Sequence, residues 1–306
     1  MSLKDWGAFW LLGVIWGSSF LWIKIGVAEI GPITLVAFRL GFALLGLLVV
    51  FALQRRAVPR DSKTLWALVF MGVFNTAIPF ALISWGETRI DSALASILNG
   101  TVPLFTIVIA HYWLSDEKIT LMRVVGLIVG FLGVVVLVSR DFGPQGIHSS
   151  ILGQLAVLAA AVSYAVSATF SRRHLRGIAP VVQATSIVFV ADALAWAAVP
   201  LAEQPLRWPV LPITWFALIW LGLLGSCVAY LLYFYLLNSV GATKSTLVTY
   251  VFPVIGLILG IIFLGESADW RLLVGSALVV GGIAVVNVKT QTREPVPVAA
   301  EVPPEP

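Results

Sequence analysis

The sequence predicts an all-α membrane protein, with ten transmembrane helices set as two inverted five-helix halves around a central cavity. Three observations predict it. The 306-residue chain is 59% hydrophobic and only 11% charged, with mean hydropathy +0.99. A soluble domain carries about 25% charged residues, so this chain has too few to cover a water-facing surface. Ten apolar stretches reach the roughly 20 residues that a spanning helix needs. Landmarks of the first half also recur in the same order 148 to 150 residues later.

The apolar stretches cover residues 6–24, 31–53, 64–86, 93–113, 120–139, 151–171, 180–201, 214–237, 242–264 and 270–288. The first follows Lys4, but the run Trp6–Ile23 is longer than the core of a signal peptide and has no small-x-small cleavage site, so it reads as a membrane helix. Connecting loops of about 3 to 13 residues leave no room for a soluble domain. Residues 289–306 hold five prolines and scattered charges and read as a disordered cytoplasmic tail. With the N-terminus inside, thirteen of the 19 Lys and Arg fall on the inner side, five on the outer side, and Arg39 within a helix. That bias predicts a multi-pass protein of the cytoplasmic membrane with both termini in the cytoplasm. Trp6, Trp66, Trp113, Trp215 and Trp270 lie near helix ends, where an interfacial belt would put them.

The repeat sets the topology. Trp16-Gly17 aligns with Tyr164-Ala165 and Pro32 with Pro180, both at offset 148. Gly126 and Gly133 align with Gly275 and Gly282 at 149, and Pro103 with Pro253 at 150. An odd number of helices per half forces the halves to insert with opposite topology, the plan of many secondary transporters, with a substrate site near the midplane between the repeats.

Taken together, GVIWGSSFLWIKIG on the first helix, Arg39 on the second, Pro103 with Glu117, and Pro253 with Glu266 resemble the EamA family of the drug/metabolite transporter superfamily. The resemblance covers residues 6 to 288 as two EamA-type units, 6–139 and 151–288. It implies ten helices, a central cavity, and transport of small metabolites such as amino acids. The second unit departs from the first at two points: Trp16-Gly17 becomes Tyr164-Ala165, and Arg39 aligns with Ile187. Roles of those first-half residues do not carry over.

The candidate site residues follow from depth. Pro103 and Pro253 lie ten and eleven residues into their helices, about 15 and 16 Å down at 1.5 Å per residue. Each removes the helical donor of the carbonyl four residues earlier, on Asn99 and Thr249. Such carbonyls must be buried in protein or face a watery cavity. The two prolines are therefore candidate gating breaks, the competing reading being static kinks. Asn99, Thr249 and Tyr250 form the polar patch around them. Asn75, Tyr230, Trp16 and Tyr164 are further candidates to line the cavity, against plain core or lipid-facing packing. Arg39 and Asp192 are intramembrane charges at similar depth, expected either to pair, with Asp192 alternatively carrying a coupling proton, or to be satisfied separately. Glu117 and Glu266 end helices on opposite faces and cannot meet, so each reads as a cap or gate stabiliser. Gly13/Gly17, Gly126/Gly130 and Gly256/Gly260 are spaced for close helix packing. The fifth and tenth helices, nearly free of polar residues, read as a scaffold or a homodimer surface.

Signatures of ATP hydrolysis, zinc proteases and serine hydrolases are missing from the sequence. The one cysteine and three dispersed histidines build no metal site, and the basic residues form no nucleic-acid patch. The expectation is a non-enzymatic secondary transporter, working without cofactor as an exporter of small organic metabolites by alternating access, with the bilayer and the substrate as its partners. An intramembrane enzyme or lipid-handling protein is the alternative, and a channel is disfavoured because no ring of like polar side chains is evident.

Overall fold

The computed structural model describes residues 1–113, 119–139, 142–143, 146–147, 149–240 and 247–286. Glu117 and the tail from residue 289 lie outside these. The described chain is a helical bundle with one two-stranded hairpin, Phe142–Gly143 against Gly146–Ile147. Among the described residues, eight helices are long and apolar enough to cross a membrane: α1 Leu3–Val27, α2 Pro32–Gln54, α3 Ser62–Glu87, α4 Ser92–Trp113, α5 Leu121–Val138, α6 Ser149–His174, α7 Pro180–Ala202 and α8, residues 212–240. Two shorter apolar rods follow, α9 over Val248–Leu264 and α10 over Trp270–Val286.

Local signals explain most boundaries. Ser2 and Asp5 form a reciprocal capping box at the start of α1. Asp61 accepts from the Thr64 amide at the start of α3, and Thr120 caps α5 through the Arg123 amide. Pro32 and Pro180, the aligned prolines, each open a helix, where the missing N–H is no loss. Gly265 ends α9 in the left-handed region, with φ 65°.

Helix packing follows an approximate two-fold axis. α1 lies on α9 as α6 lies on α4; α2 packs against α8 as α7 packs against α3; and α2 meets α7 directly. The glycines state the symmetry most sharply. A methyl placed on Gly126 would come within 2.6 Å of the Gly282 carbonyl, and one on Gly133 within 2.8 Å of the Gly275 carbonyl. Gly126 aligns with Gly275 and Gly133 with Gly282, so each glycine meets the repeat partner of the other. That reciprocity is what a two-fold axis between antiparallel equivalents requires, and it brings the backbones of α5 and α10 into contact. The outward faces stay apolar: Val135 is 63% exposed, Ile262 68% and Phe263 67%. Trp6, Trp66, Trp113 and Trp270 are also exposed, whereas Trp215 turns inward onto Phe38.

The proline helices differ from the expected long rods. α4 breaks at Gly100–Thr101, and its second segment, Val102–Trp113, has Pro103 as its second residue. The described part of α9 begins as a 3-10 turn, Leu247–Tyr250, and becomes α-helical at Val251, two residues before Pro253. Each proline thus starts a fresh helical segment, where it displaces no bonded amide.

Gly133→Leu is expected to destabilise the purified protein in detergent by about 1–3 kcal/mol, the scale of an overpacked core. Gly281→Ala, whose methyl would meet nothing within 4 Å, should leave the thermal midpoint nearly unchanged. Equal effects from the two would count against the glycine seam.

Candidate functional site

Two wide turns mark the middle of the bundle. α3 passes through a π-helical segment at Gly72–Ala77, and α8 through one at Trp220–Val228. These are repeat partners, and such segments commonly accompany functional sites. No residue pattern gave them away; a glycine at the same place in both helices was the one trace, since Gly72 and Gly222 differ by 150.

Arg39 sits between them, 4% exposed on α2. Its Nε donates to Ser226 Oγ at 3.0 Å, within the α8 π segment, and the guanidinium lies 3.9 Å over the Phe80 ring of α3. The Ser226 bond is the guanidinium's one hydrogen bond among the described residues. Tyr164, Tyr230 and Glu87 are the titratable groups facing it. Tyr230 shares a 3.3 Å hydrogen bond with Thr76 and also engages Asn75, both in the α3 π segment. Arg39, Asn75, Tyr164 and Tyr230 therefore belong to one cluster drawn from both halves. Asp192 does not join it. It lies beside Trp196 and Gly41 with its buried Oδ1 unpartnered, so the two intramembrane charges stand apart rather than as a pair.

The other candidates surround the crossing of α4 and α9. Trp16 donates from Nε1 to the Gly225 carbonyl at 3.1 Å, and its ring packs on Tyr233 and Phe252. A methyl on Gly100 would lie 3.0 Å from the Pro253 ring, so the break in α4 abuts the proline of α9. Asn99, the last residue before that break, keeps a buried Oδ1 that accepts no hydrogen bond. Thr249 precedes the helical start of α9. Tyr250 is committed elsewhere, donating from its hydroxyl to the Ile283 carbonyl of α10 at 2.8 Å.

The end of the bundle opposite the N-terminus, the distal end, holds features that sequence reading largely passed over. Three glutamates just beyond helix C-termini cap helix N-termini of the other half. Glu29, after α1, accepts from the Val210 and Leu211 amides at 2.6 and 3.0 Å. Glu203, after α7, accepts from Ile33 and Thr34 at 2.6 and 3.0 Å. Glu266, after α9, accepts from Ser92 and Ala93 at 2.7 and 2.9 Å, the capping role expected of it. A carboxylate on free helix amides satisfies both their hydrogen bonds and the helix dipole. Arg271 completes the ring by donating to the Ser139 carbonyl at the end of α5. Lys24 of α1 spans the Glu87 and Ile90 carbonyls of α3 at 2.7 Å each. An open cavity of about 720 Å³ lies among these ties, lined by Lys24, Glu29, Asp91, Thr214 and Glu266. In sequence, the only hint was an acidic residue within a few positions of three helix ends.

A helical bundle with an apolar exterior, an approximate internal two-fold and interrupted helices meeting at its centre defines a multi-pass membrane protein of the inverted-repeat class. The EamA-like transporter family model matches residues 5–139 and 151–288, and the chain belongs to that family. It is similar to an uncharacterized transporter of Archaeoglobus fulgidus, 28% identical, with 93% of this chain and 99% of the relative covered. It is also similar to the uncharacterized inner membrane transporter YedA of Escherichia coli K12, 25% identical, covering 97% and 94%. A third relative, from Streptantibioticus cattleyicolor, is named a probable terminal-alkyne amino-acid exporter and is 24% identical, covering 92% of each chain. A solved crystal structure shares the fold, with TM-score 0.67 and 22% identity over 93% of this chain and 96% of that one.

Glu29 gives the distal ties a pH signature. The Thr214 hydroxyl beside it and the Val210 and Leu211 amides hold its carboxyl below the ordinary 4.5, against the opposing effect of burial. A depressed carboxyl contributes stability above its ordinary value and loses it as pH falls through the depressed one. Exchange protection of the Val210 and Leu211 amides should therefore be flat at neutral pH and fall off only below about 4.5. Glu29→Gln should remove the dependence, and protection that declined already at neutral pH would contradict the capping role.

Proposed function

We propose that the protein is a secondary transporter that exports small zwitterionic or anionic metabolites, amino acids among them, by alternating access. Ten spans with both termini in the cytoplasm make the distal end the outer face. The units 6–139 and 151–288 are the bodies that rock. The observation that carries this reading is Arg39. It is a buried cation at the contact of the two halves, bonded to the α8 π segment through Ser226, its one hydrogen-bond partner among the described residues, and stacked on Phe80 just beyond the α3 π segment. A charge at that depth costs about 2.5–3.5 kcal/mol, and a substrate carboxylate would offset the cost by pairing with the remaining guanidinium donors. The aromatic rings of Phe80, Tyr164 and Tyr230 would hold the rest of a small amphipathic molecule. The relative named as an amino-acid exporter supports the substrate class.

The distal ties support an outer gate that is shut in this conformation. Opening it would separate Glu29 from α8, Glu203 from α2 and Glu266 from α4, each joining one half to the other. Pro103 and Pro253, each at the start of a helical segment, are the points where α4 and α9 can bend without breaking further hydrogen bonds. The plain α5–α10 pair would be the scaffold about which the halves move, or a homodimer surface.

Counterflow in proteoliposomes, with a panel of labelled amino acids and uncharged amines, tests the reading. Saturable exchange of at least one amino acid is expected, and no exchange of any compound would refute a carrier. Arg39→Gln should cut amino-acid counterflow by about 10–100-fold, the worth of roughly 1.5–3 kcal/mol for a hydrogen bond to a charged group. Amine exchange, if present, should be spared. A uniform loss across both classes would assign Arg39 to folding instead.

A further inference from the structure

Glu87, at the distal end of α3, is fully buried, and neither carboxyl oxygen has a hydrogen-bond partner. Ser84, one turn earlier on the same face, and Ser92, at the start of α4, are also fully buried with unpartnered hydroxyls. Buried polar groups are nearly always satisfied, and a carboxylate buried without a donor carries a large desolvation cost. Neither the central cluster nor the caps make use of Glu87.

Its surroundings place it at the closing gate. The charged groups facing it are Lys24 from α1, Glu266 from the turn after α9, and Arg39 from α2. α6, packed against the neighbouring Gly86, presents Gly153 and Val157, neither titratable. Lys24 is itself fixed on the Glu87 and Ile90 carbonyls, and Glu266 on the first amides of α4. Glu266 therefore belongs to a tie between the halves that must part when that end opens, whereas Lys24 shares a half with Glu87 and stays beside it. Arg39, the third, belongs to the centre.

We propose that Glu87 is the proton-carrying carboxyl that couples transport to a proton gradient. With the distal end shut, it is held as the neutral acid in its buried site. With that end open, Glu266 withdraws and water reaches the Glu87 carboxyl beside Lys24, so the group exchanges its proton with the outside. One O–H bond forms on a glutamate oxygen as hydronium becomes water, and the same bond breaks when water on the other side takes the proton. Arg39 links the two events, because its charge acts on Glu87 and it lies at the proposed substrate position, so that its pairing with a substrate carboxylate changes the field at Glu87. A sodium ion is the rival occupant of an unpartnered carboxyl beside two hydroxyls. The adjacent Lys24 ammonium, already seated on the nearest carbonyls, favours the proton.

The proposal rests on the transporter reading, and its test separates the two. Infrared spectra of the purified wild-type protein should show a protonated carboxylic acid band at neutral pH that Glu87→Gln removes, a result independent of any substrate. In proteoliposomes, a one-unit pH gradient should drive about tenfold accumulation of the labelled amino acid that shows counterflow, because each unit is worth 1.36 kcal/mol per proton. Glu87→Gln should reduce that ratio to about one and make counterflow insensitive to pH, while Glu87→Asp restores part of the accumulation. Absence of the band in wild type, full accumulation by Glu87→Gln, loss of coupling in Asp192→Asn instead, or a requirement for a sodium gradient would each overturn the assignment. If no compound shows counterflow but the band behaves as stated, the transporter reading fails and the proton site stands.

Discussion

The first amides of a helix have no acceptor within it, and the distal end of this protein is built around supplying them from outside. Every helix start is a set of such amides. Here three of them are satisfied by carboxylates from the opposite half: Glu29 on α8, Glu203 on α2 and Glu266 on α4. A cap supplied from within the same half would stabilise a helix and nothing more. A cap supplied across the boundary makes the integrity of one half's helices depend on the position of the other. The same groups that finish the fold thereby become the contacts that must part if the halves move.

The α5–α10 seam answers the opposite need. Lipid offers no hydrophobic force between helices, so close packing must come from shape. Four glycines let two backbones touch along a line that maps onto itself under the internal two-fold. Apart from the Arg271–Ser139 tie at the distal end, backbone contact holds the pair, with little side-chain volume to rearrange. The bundle thus separates a pair of helices held by contact of backbone on backbone from a distal ring held by a few directional, charge-assisted bonds. The first is difficult to shear, and the second can be released by moving a handful of groups.

Much of this was legible in the sequence because the repeat writes each landmark twice. The aligned prolines at 32 and 180, the glycines at 126, 133, 275 and 282, and the breaks near 103 and 253 all fall where their spacing placed them. What stayed hidden lacks a linear pattern. A π segment is an extra residue in a helical turn, and Gly72–Ala77 reads like any other apolar helix. Glu29 and Glu203 sit in loops, where a carboxylate ordinarily faces water, and only the fold reveals the amides they meet. Glu87 directly follows the apolar stretch 64–86, and nothing in the sequence shows that packing by α1 and α6 buries it. Spacing left the choice between an Arg39–Asp192 pair and two separate charges open for the same reason. Depth along two helices says nothing of the direction each side chain takes, and Arg39 turns to α8 while Asp192 turns to Trp196.

Arg39 and Glu87 are both fully or nearly buried ionisable groups that packing leaves incompletely satisfied among the described residues, and they lie within one electrostatic neighbourhood. A static membrane protein gains nothing from such an arrangement, because apolar residues of similar volume would remove both desolvation costs. The cost becomes useful when it differs between conformations. A cation whose remaining donors await an anion, and a carboxyl whose charge is tolerated only when its gate opens, each favour a different state of the bundle, and a ligand or proton can shift an equilibrium only through such differences. Satisfying both groups permanently would stabilise one conformation and remove the lever. Under the proposed mechanism, their incomplete satisfaction is the physical form that coupling would take in this fold, with the glycine seam supplying the rigidity about which the rest would move.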